Sequence, residues 1–321
     1  MALNGKLIVA LVLLSVIVVS GCTSPQKAAA PSLASRPFVG GTQGIEVAFQ
    51  PNAPPEEVVK GDQIEFIVKL ENKGESAAKV RKVSLTGISA SAFGIHEPVD
   101  DTIRDLSAVG KVGTTLVPGG QDIVTFTSPG YTGTLEGQFP FTATAVACYD
   151  YKSQGVATAC ITENLLQQAT GANACKTSGM KQVYNKGATV QVTSVEQIPF
   201  GRDTLGFQIK IKNVGTGRVF NSDDCVDKSM SADKVVVTSV KLGSGLELNC
   251  GRTDNTFSLV NGEANVICRT APGELVDQYT GIVEDLLTID LEYNYESKAS
   301  KKFVLKALPG TESESGNQVS Q

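Results

Sequence analysis

The sequence predicts an all-β protein in which two antiparallel β-sandwiches follow one another along the chain. Three observations predict it. Apolar residues recur at every second position in the segments 63–74 and 205–217, which is the period of a strand with one buried face. The chain repeats itself once. No long helical period interrupts the strands. With 321 residues, of which 41% are hydrophobic and 19% charged, each copy has enough apolar side chain for a core.

The first element is an address. Lys6 and the amino terminus form a short positive region, and Leu7–Val19 follows as an apolar stretch. That stretch is shorter than the ~20 residues a membrane span needs and suits an export signal. The run Val19-Ser20-Gly21-Cys22 then resembles a lipobox. That resemblance implies removal of residues 1–21 and attachment of membrane lipid at Cys22. The alternative is an uncleaved signal that serves as the anchor. Either way the rest of the chain is expected outside the cytoplasm, on the outer face of the cell membrane. Residues 22–43 are small, polar and Pro/Gly-containing, and read as a flexible tether. Residues 308–321 have no apolar period and read as a disordered tail.

The body follows as 44–162, a connector 163–187, and 188–307. In the first copy Ile64, Phe66, Val68 and Leu70 alternate with other residues and run into Asn72-Lys73-Gly74. In the second, Phe207, Ile209 and Ile211 run into Asn213-Val214-Gly215. The glycines provide a free backbone where the chain turns. Val83-Ser84-Leu85 matches Val240-Lys241-Leu242, and the segment 116–126 matches 259–269. The segment 143–161 matches 289–305, with Tyr149 and Tyr151 aligned to Tyr293 and Tyr295. The offset is 141 at Phe66/Phe207 and 157 at Val83/Val240, so the second copy carries an insertion near 217–232. Each copy provides about seven short strands with turn residues between them, the pattern of a sandwich. The connector is expected to hold one short helix over 163–169, capped by Thr162.

The pattern F-x-I/V-x-V/I-x-N-x-G, followed by Leu-x-Pro-Gly before a strand, resembles CARDB-like modules of the immunoglobulin type. The resemblance covers most of 45–162 and 188–307 and implies two tandem immunoglobulin-like sandwiches. The cysteines and the Tyr-x-Tyr strand depart from the generic module. The whole arrangement is similar to surface lipoproteins of small-genome archaea, a likeness that brings no defined activity with it.

Composition narrows the chemistry. Lys+Arg 28 against Asp+Glu 33 leaves a net charge of −5, and no polybasic run occurs, which argues against nucleic acid. A single histidine excludes a multi-His metal site. His96 lies near Glu97, Asp100 and Asp101, and Asp223-Asp224-Cys225-Val226-Asp227 looks superficially like a metal loop. The second lacks the spacing that turns oxygens inward, and both are read as solvated acidic segments, with no metal and no cofactor. Asn213 to Gly217 follows a strand but precedes no helix, so a phosphate cradle is not expected. No G-x-S-x-G, C-x-x-C or H-E-x-x-H occurs, and the sequence predicts no enzyme. Leu287, Ile289, Leu291, Tyr293 and Tyr295 share one strand face, opposite Thr288, Asp290, Glu292 and Asn294. The polar side must be wet, so the tyrosines are expected in the core with their hydroxyls bonded near a rim. The alternative is a platform on which a carbohydrate stacks.

Besides Cys22 six cysteines remain, Cys148, Cys160, Cys175, Cys225, Cys250 and Cys268. An even number outside the reducing cytoplasm predicts three disulfides. Cys148 and Cys160 are equidistant from Gln154, so a hairpin with its tip at Ser153-Gln154-Gly155 would pair them. Cys250 and Cys268 flank the Asn261-Gly262 turn, and Cys175 and Cys225 remain for each other.

The expected function is structural or adhesive: two lipid-anchored domains touching another surface protein or an envelope polymer, with loops 88–115 and 217–232 as the contact surface. The alternative is capture of a ligand or carbohydrate for a transporter or envelope complex.

Overall fold

The computed structural model describes residues 37–166, 175–222, 225, 231–243 and 245–307. The signal peptide, Cys22, the first part of the tether and the tail 308–321 lie outside the described residues. So do Asp223, Asp224, Val226 and Asp227, and positions 167–169 of the expected connector helix. Among the described residues the structure is all-β apart from one short helix, α1 (Glu274–Gln278).

Two strands organise everything else. β10 (Gln138–Thr162) and β20 (Ile282–Lys306) are each 25 residues long and pair antiparallel along their whole length. Their inward-facing residues keep one parity, and only Cys148, Cys160 and Asn294 are buried on the opposite face. In β10, Ala143, Ala145, Ala147, Tyr149, Tyr151, Ser153, Ala157, Ala159 and Ile161 are all buried. In β20, Leu287, Ile289, Leu291, Tyr293, Tyr295, Phe303 and Leu305 are buried likewise. A constant parity over such a length keeps one face of a continuous strand inward.

The remaining strands attach to this pair. An 11-stranded sheet follows the path β17 (Leu246–Glu247), β16 (Lys234–Leu242), β20, β10, β4 (Ala78–Thr86), β5 (Val99–Asp100). Shorter strands join its edges, including β2 (Glu57–Val59), β6 (Arg104–Leu106), β12 (Val183–Asn185) and β15 (Arg218–Phe220). β4 pairs with residues 144–150 of β10, and β16 with residues 287–292 of β20. Two smaller sheets cover the inner face. One has the order β1 (Ile45–Phe49), β3 (Ile64–Asn72), β9 (Gln121–Ser128). The other has the order β11 (Gly179–Lys181), β13 (Val190–Pro199), β14 (Leu205–Asn213), β19 (Glu263–Arg269). Phe66 of the first small sheet meets Phe303 near the end of β20 at 5.8 Å between ring centres. Gln197 of the second holds Cys160 near the end of β10 through two hydrogen bonds to its backbone.

Each lobe therefore contains half of a strand that the other copy supplies. The structure joins the two expected sandwiches through this shared pair: the described residues 37–307 belong to one compact unit, and one apolar core runs through both lobes. The register adds a symmetry. Tyr149 lies opposite Tyr295 and Tyr151 opposite Tyr293, with Asp150 opposite Asn294 between them. The repeat maps Tyr149 onto Tyr293 and Tyr151 onto Tyr295. A local two-fold axis therefore passes through the Asp150–Asn294 pair.

No hairpin turns at Ser153-Gln154-Gly155, contrary to expectation. Those residues lie mid-strand, and Gly155 is small for a packing reason. A Cβ there would meet the Val192 Cβ at 2.9 Å, a close backbone approach of the kind that places glycine inside strands. The cysteine pairing changes with it. Cys148 and Cys160 are 12 residues apart on one extended strand, roughly 40 Å at ~3.3 Å per residue, far beyond the ~7 Å a disulfide spans. Cys148 joins Cys225 instead and Cys160 joins Cys175, with Cα separations of 5.9 and 5.7 Å. The expected Cys175–Cys225 bridge is absent for the same reason. Cys250 pairs with Cys268 across the turn where Asn261 and Gly262 both adopt positive φ, 53° and 78°, the backbone that Asn-Gly favours in a tight hairpin.

Candidate functional site: a concave face on the local two-fold axis

The four tyrosines tie the two copies to their own turns. The carboxamide oxygen of Asn72 accepts the Gly74 N–H at 3.1 Å and the Tyr151 hydroxyl at 3.2 Å, while its Nδ2 donates to the Ser76 and Leu106 carbonyls. Asn213 repeats this with Gly215, Tyr295 and the Gly217 carbonyl. The other tyrosine of each pair accepts a backbone N–H at 3.1 Å, Tyr149 from Ile45 and Tyr293 from Val190. All four rings are buried, so no aromatic platform faces solvent here. Burial raises each of the four phenol pKa values.

The middle residue of each Tyr-x-Tyr motif points the other way. Asp150 and Asn294 lie on the outer face of the large sheet, in a concavity of about 770 Å³. Its lining includes Arg81, Asp150, Lys152, Asn221, Glu292 and Asn294. The Arg81 guanidinium grips the Asp150 carboxylate at both oxygens, 2.5 and 2.6 Å. Lys152 and Glu292 form an ion pair across the two long strands. Asn294 is 8% exposed, and its Oδ1 has no hydrogen-bond partner among the described residues. A second concavity of about 540 Å³ continues from the first through Lys152 and Glu292. Both lie within the size range of small-molecule sites.

The acidic loop is organised differently from a cation site. His96, Glu97, Asp100 and Asp101 do border one hollow, of about 650 Å³. The Asp100 carboxylate, however, accepts from the Arg104 guanidinium at 2.8 and 3.0 Å and from the Thr102 N–H. Arg104 holds its pKa down at about 2. At the end of 88–115 and just beyond it a small hairpin, β7 (Gly110–Val112) with β8 (Thr115–Val117), forms a sheet of its own and leaves Val112, Leu116 and Val117 exposed. Cys225 lies with Phe220 and Cys148 in a small cluster on the outer face of the large sheet.

The concave face was not anticipated from the sequence. The signal was present: the repeat aligns Asp150 with Asn294, each flanked by two tyrosines that must point inward, so both must point outward together.

No family model and no curated protein matches the chain. Among solved structures it is similar to red sea bream transglutaminase at 12% identity and a TM-score of 0.19, over 82% of this chain and 31% of that one. It is also similar to Escherichia coli alpha-2-macroglobulin activated by porcine elastase, at 10% identity and a TM-score of 0.16, over 84% of this chain and 22% of that one. The chain spans less than a third of the length of either protein.

Proposed function

We propose that the protein is a membrane-anchored, extracytoplasmic structural or adhesive protein, which holds its two-lobed body against another surface protein or an envelope polymer. The observation that carries this reading is the fusion of the two lobes through one continuous pair of strands. A body whose halves share their central strands resists being pulled apart and presents a single fixed face. Three disulfides support an oxidising location outside the cytoplasm. The lipobox-like run ending at Cys22 supports attachment by lipid, where two acyl chains hold stably and one holds marginally. The immunoglobulin-like resemblance of the two copies fits the same role. The test compares the full chain with its Cys22→Ser variant. The wild type is expected in the detergent phase and in the envelope fraction, and the variant in the aqueous phase. Equal partitioning, with the precursor intact in both, would replace the lipid anchor by an uncleaved signal. Failure of the detergent-solubilised wild type to bind the isolated envelope fraction would remove the adhesive role.

A further inference from the structure

We infer that the concave face over the Asp150–Asn294 pair is a binding site for an uncharged saccharide.

Lys79, Arg81 and Lys152 line the concavity with Asp105, Asp150 and Glu292, three positive and three negative side chains. Four of these six are joined in two ion pairs, Arg81 with Asp150 and Lys152 with Glu292. An ionic ligand would find its own charge opposed as often as matched. A neutral ligand gains from both signs, because the cations donate hydrogen bonds and the carboxylates accept them. A carboxylate has about four lone-pair sites, so Asp150 keeps acceptor capacity beyond its two bonds to Arg81. A sugar hydroxyl donates one hydrogen bond and accepts others, and a ring carrying several hydroxyls matches donors and acceptors that alternate over a surface.

Asn294 is the independent observation. A carboxamide that is nine-tenths buried, on the outer face of a central strand, normally has partners for its oxygen, and leaving one unpaired costs about 1–3 kcal/mol. No described residue supplies that partner, although Asn294 lines the cavity. The terminal torsion of an asparagine is broad, so a modest rotation turns either the oxygen or the nitrogen toward the hollow. A ligand hydroxyl that donates to Oδ1 supplies the missing partner. Ala78 and Val236 add apolar lining for the C–H faces of a ring. The contact is made by hydrogen bonds on the polar side of the Tyr-x-Tyr strands, and the tyrosines take no part in stacking.

This deepens the adhesive reading by naming the chemistry of the envelope polymer, and the two can fail separately. The detergent-solubilised full chain is applied to an array of neutral gluco-, galacto- and manno-oligosaccharides, with sialylated and sulfated glycans alongside. Binding to neutral oligosaccharides is expected. Asn294→Leu removes the carboxamide at similar volume, so its unfolding midpoint should stay level or rise while binding falls about tenfold or more. That combination separates a ligand contact from a structural one. Should Asn294→Leu fail to fold, Lys152→Met decides, because that side chain is 70% exposed and its loss should weaken binding without unfolding the protein. Wild-type affinity in the folded variant, preference for acidic glycans, or no binding to neutral oligosaccharides overturns the inference. Envelope retention that survives periodate oxidation of glycans but is lost to protease would leave the adhesive reading standing and sink the saccharide. Glycan binding without envelope retention would do the reverse.

Discussion

Asn72 and Asn213 share three bonds to equivalent neighbours in two copies whose sequences otherwise diverge, and Asn72 adds a fourth to the Leu106 carbonyl. In each, an Asn-x-Gly turn folds over its own strand end and receives a tyrosine hydroxyl from a long strand. The fully buried Asn72 meets all four hydrogen-bonding capacities of its carboxamide, which is what makes a polar residue tolerable there. The tyrosines bear the consequence in their ionisation. Burial pushes the pKa of Tyr149, Tyr151, Tyr293 and Tyr295 above the ordinary value, which is about 10 in an unfolded chain. A group whose folded pKa is raised contributes stability that is fully present below its unfolded pKa and lost as pH rises through the folded value. The protein should therefore keep full tyrosine-linked stability up to about pH 10 and lose it above. Of its seven tyrosines, these four should ionise only together with loss of the folded circular dichroism signal. Tyrosinate absorbance rising smoothly for all seven while the fold persists would contradict the buried, bonded state of the motif.

β10 and β20 depend on each other along their whole length, and that dependence predicts how fragments behave. Residues 37–166 alone would leave one edge of β10 without its partner, and residues 175–307 would leave β20 likewise. Long unpaired edges favour association. Each fragment should be poorly folded alone, and mixing the two should restore one β-rich complex. The outer-face side chains direct that pairing. In the native register Lys152 meets Glu292, Gln154 donates to Asp290 at 2.7 Å, and Asp150 faces Asn294. Two copies of β10 paired about the same axis would set Asp150 against Asp150, which is unfavourable for like charges directly opposite. Size-exclusion chromatography of the fragments, separately and mixed, reads the outcome; two stable monomers would show that each copy closes by itself. The sequence made the strand faces legible, because a period of two says which side chains point inward. It did not disclose partners, because periodicity is silent about which strand lies alongside. Ser153, Gln154 and Gly155 are turn-forming types, and only the uninterrupted parity from Tyr151 to Ala157 distinguishes a strand from a hairpin there. The polar residues of the concave face were legible as a wet side and not as a site, since Arg81, Asp150 and Glu292 come from three separate strands.

At the scale of the whole molecule, the disulfides divide into one that joins the copies and two that are local. Cys148 belongs to the first copy and Cys225 to the insertion that distinguishes the second, at a separation of 77 residues. Cys160–Cys175 and Cys250–Cys268 close separations of 15 and 18 residues. In the chain-entropy account, constraint of the unfolded state grows with loop length, giving about 4–5 kcal/mol for the longest loop and about 3 kcal/mol for each short one. Replacing both cysteines of a pair by alanine should therefore destabilise most for Cys148 and Cys225, read as the shift in denaturant midpoint at constant slope. The shape of the transition is equally informative. Because the lobes share their central strands, the Cys148→Ala/Cys225→Ala protein should still unfold in one step, with calorimetric and van't Hoff enthalpies equal. Splitting into two transitions would mean that the disulfide, and not the shared strand pair, is what makes the two copies one body. A single transition with its midpoint lowered assigns cooperativity to the strands and leaves the crosslink the role of restricting the unfolded chain.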